Sequence, residues 1–321
     1  MTAMRAVSCL CSALLVAAAA ATLARGADPP APPARSAVLQ VLAQARGVQP
    51  TDRPLRPLTI VLLADKKDHG PGEHDYPRWQ SRWALLLGGA AASTEQAANL
   101  TGADLPDPSL ADGAPQVRVV TVQPWPSPEQ WASADLVVAF CYLAWNEQRI
   151  AEARQFLKRG GGLVLVHSAT WTMPEPSLDI AGLVGVGGFV KYRHGPIDLT
   201  IRQPDHPICA GLPQTIALVD ESYFPPTPAL DTQRVQVLAT CQEEPNEGEA
   251  GPSSQPMYWT YEPDKEPDKG RVFGCVLGHN NFTFDHPYFR LLLLRGMAWA
   301  AHEEPSRFDA LTLRSASVTG D

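Results

Sequence analysis

From residue 58 onward, short apolar runs alternate with stretches whose apolar residues recur every three or four positions. Residues 58–64 form an aliphatic run, as expected of a strand buried on both faces. Residues 116–122, 135–141 and 163–167 repeat the pattern and predict three more strands. Between them, 78–87 carries Trp79, Trp83, Leu86 and Leu87 at helical spacing. Residues 146–159 predict a helix with a polar face of Glu147, Arg149, Glu152 and Arg154, stopped by Gly160, Gly161 and Gly162. Repeated strand–helix units predict an α/β fold with a doubly wound, mostly parallel sheet and right-handed crossovers.

The second half is richer in strands. Runs at 196–203, 216–220, 234–240, 256–261 and 271–277 predict an antiparallel β extension, with 242–255 as a polar surface loop. Residues 285–302 read as a long terminal helix whose core face is Phe289, Leu292, Leu293, Gly296, Met297 and Ala300. The α/β body thus spans 55–302. Before it, 27–54 is a Pro/Ala-rich linker in which Val38, Val41, Leu42 and Ala45 predict one short docking helix. After it, 303–321 reads as a frayed polar tail.

The first 26 residues change the compartment. Arg5, an Ala-rich apolar stretch over 7–23 and small residues before Ala24 or Gly26 predict a cleaved signal peptide. An uncleaved anchor fits less well, because the apolar core is short and poor in large aliphatics. The expected location is periplasmic or secreted, with no other membrane association. Export places Cys141, Cys209, Cys241 and Cys275 in an oxidising space. Four cysteines allow three pairings, and spacing selects none. Cys141 and Cys275 fall in strand-like runs, where a buried free thiol is expected.

Composition narrows the class. In 321 residues, 45% hydrophobic and 19% charged positions exclude wholesale disorder. A net charge of −8 argues against a nucleic-acid partner. The 31 prolines predict stiff connections rather than many long helices. There is no P-loop, no dinucleotide-binding GxGxxG after a strand and no GxSxG around a serine.

In open α/β sheets, ligands bind beyond the carboxyl ends of the strands. The segments that follow the predicted strands are rich in chemistry. A polar loop with Asp68, His69, Glu73 and His74 follows the first. Tyr142, Trp145 and Asn146 follow the third. The fourth ends in His167, Ser168 and Trp171. Asp220, Glu221 and Tyr223 follow the strand at 216, and His279, Asn280 and Asn281 follow the one at 271. His206 reads as turn chemistry, and His194 is poised between loop and site.

Several of these segments, in this order, resemble the ThuA-like (trehalose utilisation) family. They are the Ala-Asp-Leu-Val-Val run at 134–138, the Gly-rich strand and His-Ser-Ala-Thr at 160–170, and Asp205-His206-Pro207-Ile208 with Gly211-Leu212-Pro213. Asp220-Glu221-Ser222-Tyr223, the 270–279 segment ending in Leu-Gly-His, and the Arg-Gly-x-x-Trp-Ala pattern closing 287–300 complete the set. The resemblance spans about 58–301. It implies a flavodoxin-like fold related to class I glutamine amidotransferases, and work on trehalose-like disaccharides or their 3-keto derivatives. Those amidotransferases need a cysteine where His167-Ser168 stand, and a His-Pro-Glu where His279 is followed by Asn280-Asn281. A glutaminase is therefore excluded.

The expectation is an exported sugar-processing enzyme using His/carboxylate acid–base chemistry on a small carbohydrate. Its catalytic candidates are His69, His74, His167, Glu221 and His279. Asp220, Tyr223, Trp171, Trp259, Asn280 and Asn281 are the substrate-binding candidates. No cofactor is predicted outright. One alternative is a metal-dependent hydrolase or isomerase with a divalent metal on His69, His74, Glu221 and His279. Another is a non-catalytic carbohydrate-binding module.

Overall fold

The computed structural model describes residues 30–31, 33–45, 54–89, 97–102, 111–173, 175–244, 250–264, 266 and 269–315. The expected signal peptide lies outside the described residues. Among those described, no helix is long and apolar enough to cross a membrane.

Among the described residues nine strands form one mixed sheet: β1 (Leu58–Leu63), β2 (Val117–Val122), β3 (Leu136–Ala139), β4 (Gly162–Val166), β5 (Phe189–Ile201), β6 (Thr215–Pro226), β7 (Val235–Glu243), β8 (Ser253–Tyr261) and β9 (Val272–Cys275). Their spatial order is β2-β1-β3-β4-β9-β8-β7-β5-β6. The first five are parallel. From β9 to β6 every pairing is antiparallel. All residues of β3, β4 and β9 are buried, which is why they read as unbroken apolar runs. The parallel half and the antiparallel extension both match the expected α/β pattern.

Among the described residues six α-helices accompany the sheet: α1 (Arg35–Ala45), α2 (Tyr76–Gly88), α3 (Pro128–Ser133), α4 (Glu147–Lys158), α5 (Leu178–Val184) and α6 (Pro287–Ala300). In α1 the buried residues are Val38, Val41, Leu42 and Ala45, the four whose spacing predicted it. α6 is buried on more than the expected face: Leu291 packs on α1, and Arg290 and Arg295 are fully enclosed. Each arginine is neutralised, Arg290 by Asp285 at 3.1 Å and Arg295 by Asp309 at 2.8 Å.

Three sequence expectations require correction. Residues Pro305–Ser315 are not a frayed tail but a 3-10 helix, with Phe308, Leu311 and Thr312 buried. Arg295 ties this helix and α1 together, since it also donates to the carbonyl of Ala45. The loop expected over 242–255 is shorter at both ends, because β7 runs to Glu243 and β8 starts at Ser253. Glu243 stays buried there because Arg193 holds its carboxylate bidentately, at 2.6 and 2.8 Å. Finally, β5 and β6 are much longer than predicted and form a hairpin. Glu221 and Tyr223 therefore lie within a strand rather than beyond its end. Cys141, Cys209, Cys241 and Cys275 are all buried free thiols.

Candidate functional site

Four chain segments build one cluster. The loop after β1 is pinned to the loop after β9 by backbone bonds: His74 N–H donates to the His279 carbonyl at 3.0 Å, and Asn281 N–H to that of Gly72 at 2.8 Å. At the end of β4 the chain turns sharply, with His167 at φ 49°. His74 has φ 40°. Both are left-handed conformations that cost non-glycine residues energy and concentrate at functional sites. The fourth segment is β6, which supplies Glu221.

Asp220 fixes the loop that carries His279. Its carboxylate accepts from the backbone N–H groups of Glu221, Gly278, His279 and Asn280, at 2.8, 2.8, 2.9 and 3.3 Å. Gly278 sits at φ 127°, a conformation that L side chains rarely adopt, so it lets the chain turn into that carboxylate. Asp220 is thus a positioning residue, buried with its carboxylate committed to backbone N–H groups.

At the centre, His74 Nε2 lies 2.9 Å from His167 Nε2 and 3.0 Å from His279 Nδ1. Glu221 Oε2 lies 3.1 Å from His167 Nε2 and 3.0 Å from His279 Nδ1. All four side chains are buried. The outer nitrogens define the tautomers. His167 Nδ1 faces the Val276 carbonyl at 2.6 Å, which only accepts, so Nδ1 carries a proton. His74 Nδ1 donates to Asp68 Oδ1 at 3.0 Å, and Tyr76 OH donates to Asp68 Oδ2 at 3.0 Å. In the neutral imidazoles both Nε2 atoms then present lone pairs to the centre.

Burial, reinforced by repulsion from His167, His279 and His69, pushes His74 far below the usual imidazole range, so it stays neutral. Burial would raise the Glu221 carboxyl, but its close contacts with His167 and His279 outweigh it and hold it far below the usual range. Burial would lower His279, but the bond to Glu221 wins and raises it. The Tyr223 hydroxyl, 2.8 Å from His167 Nε2, is pushed well above its usual range by burial.

A cavity of about 280 Å³ opens beside the cluster. His69, Tyr142, Trp171, Tyr192, His194, Glu221 and Tyr223 line it. The hairpin explains four of these at once. His194 pairs with Glu221, and Tyr192 with Tyr223, so alternation puts all four on one face. His194 Nε2 is 3.2 Å from Glu221 Oε1. Larger cavities of about 770 and 480 Å³ lie elsewhere, and neither is lined by the histidine cluster.

The sequence model of the ThuA family, described as trehalose utilisation, matches residues 116–300, more than half of the chain. The chain belongs to the ThuA family. The matched region of this ThuA chain holds His167, Glu221 and His279, while His74 precedes it. Two ThuA-like proteins of known structure match the chain. One, from Bacteroides uniformis ATCC 8492, is 14% identical, with 80% of this chain and 99% of that chain covered and a TM-score of 0.52. The other, from Parabacteroides merdae ATCC 43184, is 19% identical, with 77% and 90% covered and a TM-score of 0.48. No curated protein matches the chain in sequence.

In this ThuA chain the predicted residues separate into three groups. His74, His167, Glu221 and His279 converge. His69, Trp171 and Tyr223 stand on the cavity wall with Glu221. The remainder do not line it. Trp259 is fully buried, its indole N–H donating to the Val184 carbonyl at 3.0 Å, so it is core and does not stack on a ligand. Asn280 and Asn281 are buried in the loop after β9 rather than on the cavity wall. The proposed metal set is altered as well: His167, not His69, completes the buried group, and His69 instead pairs with Asp68 at 2.8 Å. Tyr192 escaped the sequence reading and His194 stayed poised between loop and site there, because only the hairpin register aligns them with Glu221 and Tyr223.

Proposed function

We propose that the chain is a sugar-processing enzyme of the trehalose-utilisation type, acting on a disaccharide or keto-sugar by acid–base chemistry. The observation that carries this reading is the convergence of three imidazoles and Glu221 behind a cavity walled by Tyr142, Trp171, Tyr192 and Tyr223. Aromatic faces suit the apolar faces of a sugar ring, and polar groups among them fix its hydroxyls. A ketone on the sugar acidifies the neighbouring C–H, and an imidazole facing the cavity removes that proton. His194 and His69 face the cavity and are the proton-transfer groups. Glu221 joins them to the interior, with Oε1 on His194 and Oε2 on His167 and His279.

The reading includes export through the N-terminal signal, for which residues 1–26 are the support. It also includes a flavodoxin-like parallel half, supported by the order β2-β1-β3-β4-β9.

An NMR time course with trehalose and with 3-keto-trehalose tests it. New sugar resonances that disappear in His279→Ala are expected. Spectra unchanged with both sugars, or ligand line-broadening with no turnover, overturn the enzymatic reading.

A further inference from the structure

We propose that His74 Nε2, His167 Nε2, His279 Nδ1 and Glu221 Oε2 form a binding site for a single divalent transition-metal cation. The catalytic use of that ion rests on the function proposed above, but its binding can be measured independently.

The outer nitrogens of His74 and His167 already spend their protons on Asp68 and on the Val276 carbonyl. Their inner nitrogens are then acceptors 2.9 Å apart, and two lone pairs at that distance repel. A proton on one of those two nitrogens, or a cation shared by all four atoms, removes that repulsion, and only the cation uses all four atoms at once.

The geometry fits. The four ligand atoms lie within 4.8 Å of one another. Zinc–nitrogen bonds of about 2.0–2.1 Å place tetrahedral ligands about 3.3 Å apart. Four of the six ligand-atom pairs stand 2.9–3.1 Å apart, close to that spacing, and the two cross pairs lie within 4.8 Å, so a central ion would reach all four atoms. Three imidazoles and one carboxylate favour zinc or its neighbours over magnesium or calcium, which prefer oxygen. Outer partners are also in place. Asp68 orients His74, and a backbone carbonyl orients His167, as is usual for metal-bound histidines. Two of the four ligands sit at positive φ, a local cost that a bound ion would offset.

The test uses the full chain without an affinity tag, stripped with a chelator and then dialysed. Zinc is titrated by calorimetry, and cobalt(II) by visible absorption, which reports its coordination directly and requires no variant. One ion per chain and ligand-field bands from cobalt are expected. His167→Ala and Glu221→Ala should each weaken binding by at least about 100-fold, since loss of an outer partner alone costs about 10–100-fold. Asp68→Asn should fall in that smaller range, while His206→Ala should bind as the parent does. Binding well below one ion per chain, or equal binding by the parent and both ligand variants, overturns the site. Stoichiometric binding without sugar turnover supports the site and counts against the proposed function. Turnover by a chain that binds no metal overturns the site and leaves the function standing.

Discussion

His194 and Glu221 face each other across the β5–β6 hairpin, with His194 Nε2 3.2 Å from Glu221 Oε1. His194 is the more exposed partner and opens onto the cavity, whereas Glu221 reaches back to His167 and His279. The pair therefore connects the cavity to the buried cluster. His194→Ala is expected to reduce sugar turnover by about 10²–10⁴-fold, the usual contribution of a general acid or base. Its far-UV circular dichroism and melting temperature should stay close to the parent's, because the side chain is half exposed. Undiminished turnover would remove His194 from the mechanism.

Asp220→Ala should act through position rather than contact. It strands backbone N–H groups of residues 278–280 in a buried loop. The expected loss is about 2 kcal/mol or more in urea denaturation, given the strength of hydrogen bonds to a charged acceptor. Turnover should fall with it, because the loop carries His279.

The two tryptophans named from sequence should separate cleanly. Trp171→Ala is expected to raise KM for the sugar with a small change in stability, since Trp171 lines the cavity. Trp259→Ala should cost about 3–5 kcal/mol in denaturation, as for any buried aromatic removed from a core. A larger KM effect from Trp259→Phe than from Trp171→Ala would reverse the assignment.

Asp309→Asn tests the segment expected to fray. Its carboxylate neutralises the fully buried Arg295, which also binds α1. Removing one partner of a buried pair costs about 3–5 kcal/mol. Limited proteolysis should also cut the chain near residue 305 faster in the variant.

Glu243 gives a pH dependence away from the site. Burial alone would raise its carboxyl, but the hydrogen bonds from Arg193 outweigh burial and hold it below its ordinary value. A depressed folded-state value means that the stabilisation is complete above the unfolded value of about 4.3 and is lost as pH falls through the folded one. Urea midpoints measured between about pH 6 and pH 3 should drop in the parent. In Arg193→Met the Glu243 share of that drop should vanish.

Much of the body was legible because burial leaves a periodic mark. The strands β1, β3, β4 and β9 are apolar on both faces and announced themselves as runs. The short α1 showed the same four buried residues in sequence and structure. The short helices α3 and α5 were missed, since six and seven residues give too little periodicity. The lengths of β5 and β6 were missed because their cavity-side halves carry charged and aromatic residues, Lys191 to His194 and Glu221 to Tyr223, in place of an aliphatic run.

The chain's residue types and local order determined the parallel strands and the histidines at their ends. They also carried the family resemblance. Those features depend on neighbours in sequence, where burial and turn chemistry act. Tertiary structure alone decided which histidine joins which. His74 meets His167 and His279 only because the loops after β1, β4 and β9 converge, and His194 meets Glu221 only through hairpin register. Trp171 and Trp259 look alike in the sequence, but packing put one on a cavity wall and the other in the core. Contacts between distant segments are set by the summed packing of the whole sheet, which no single stretch of sequence encodes.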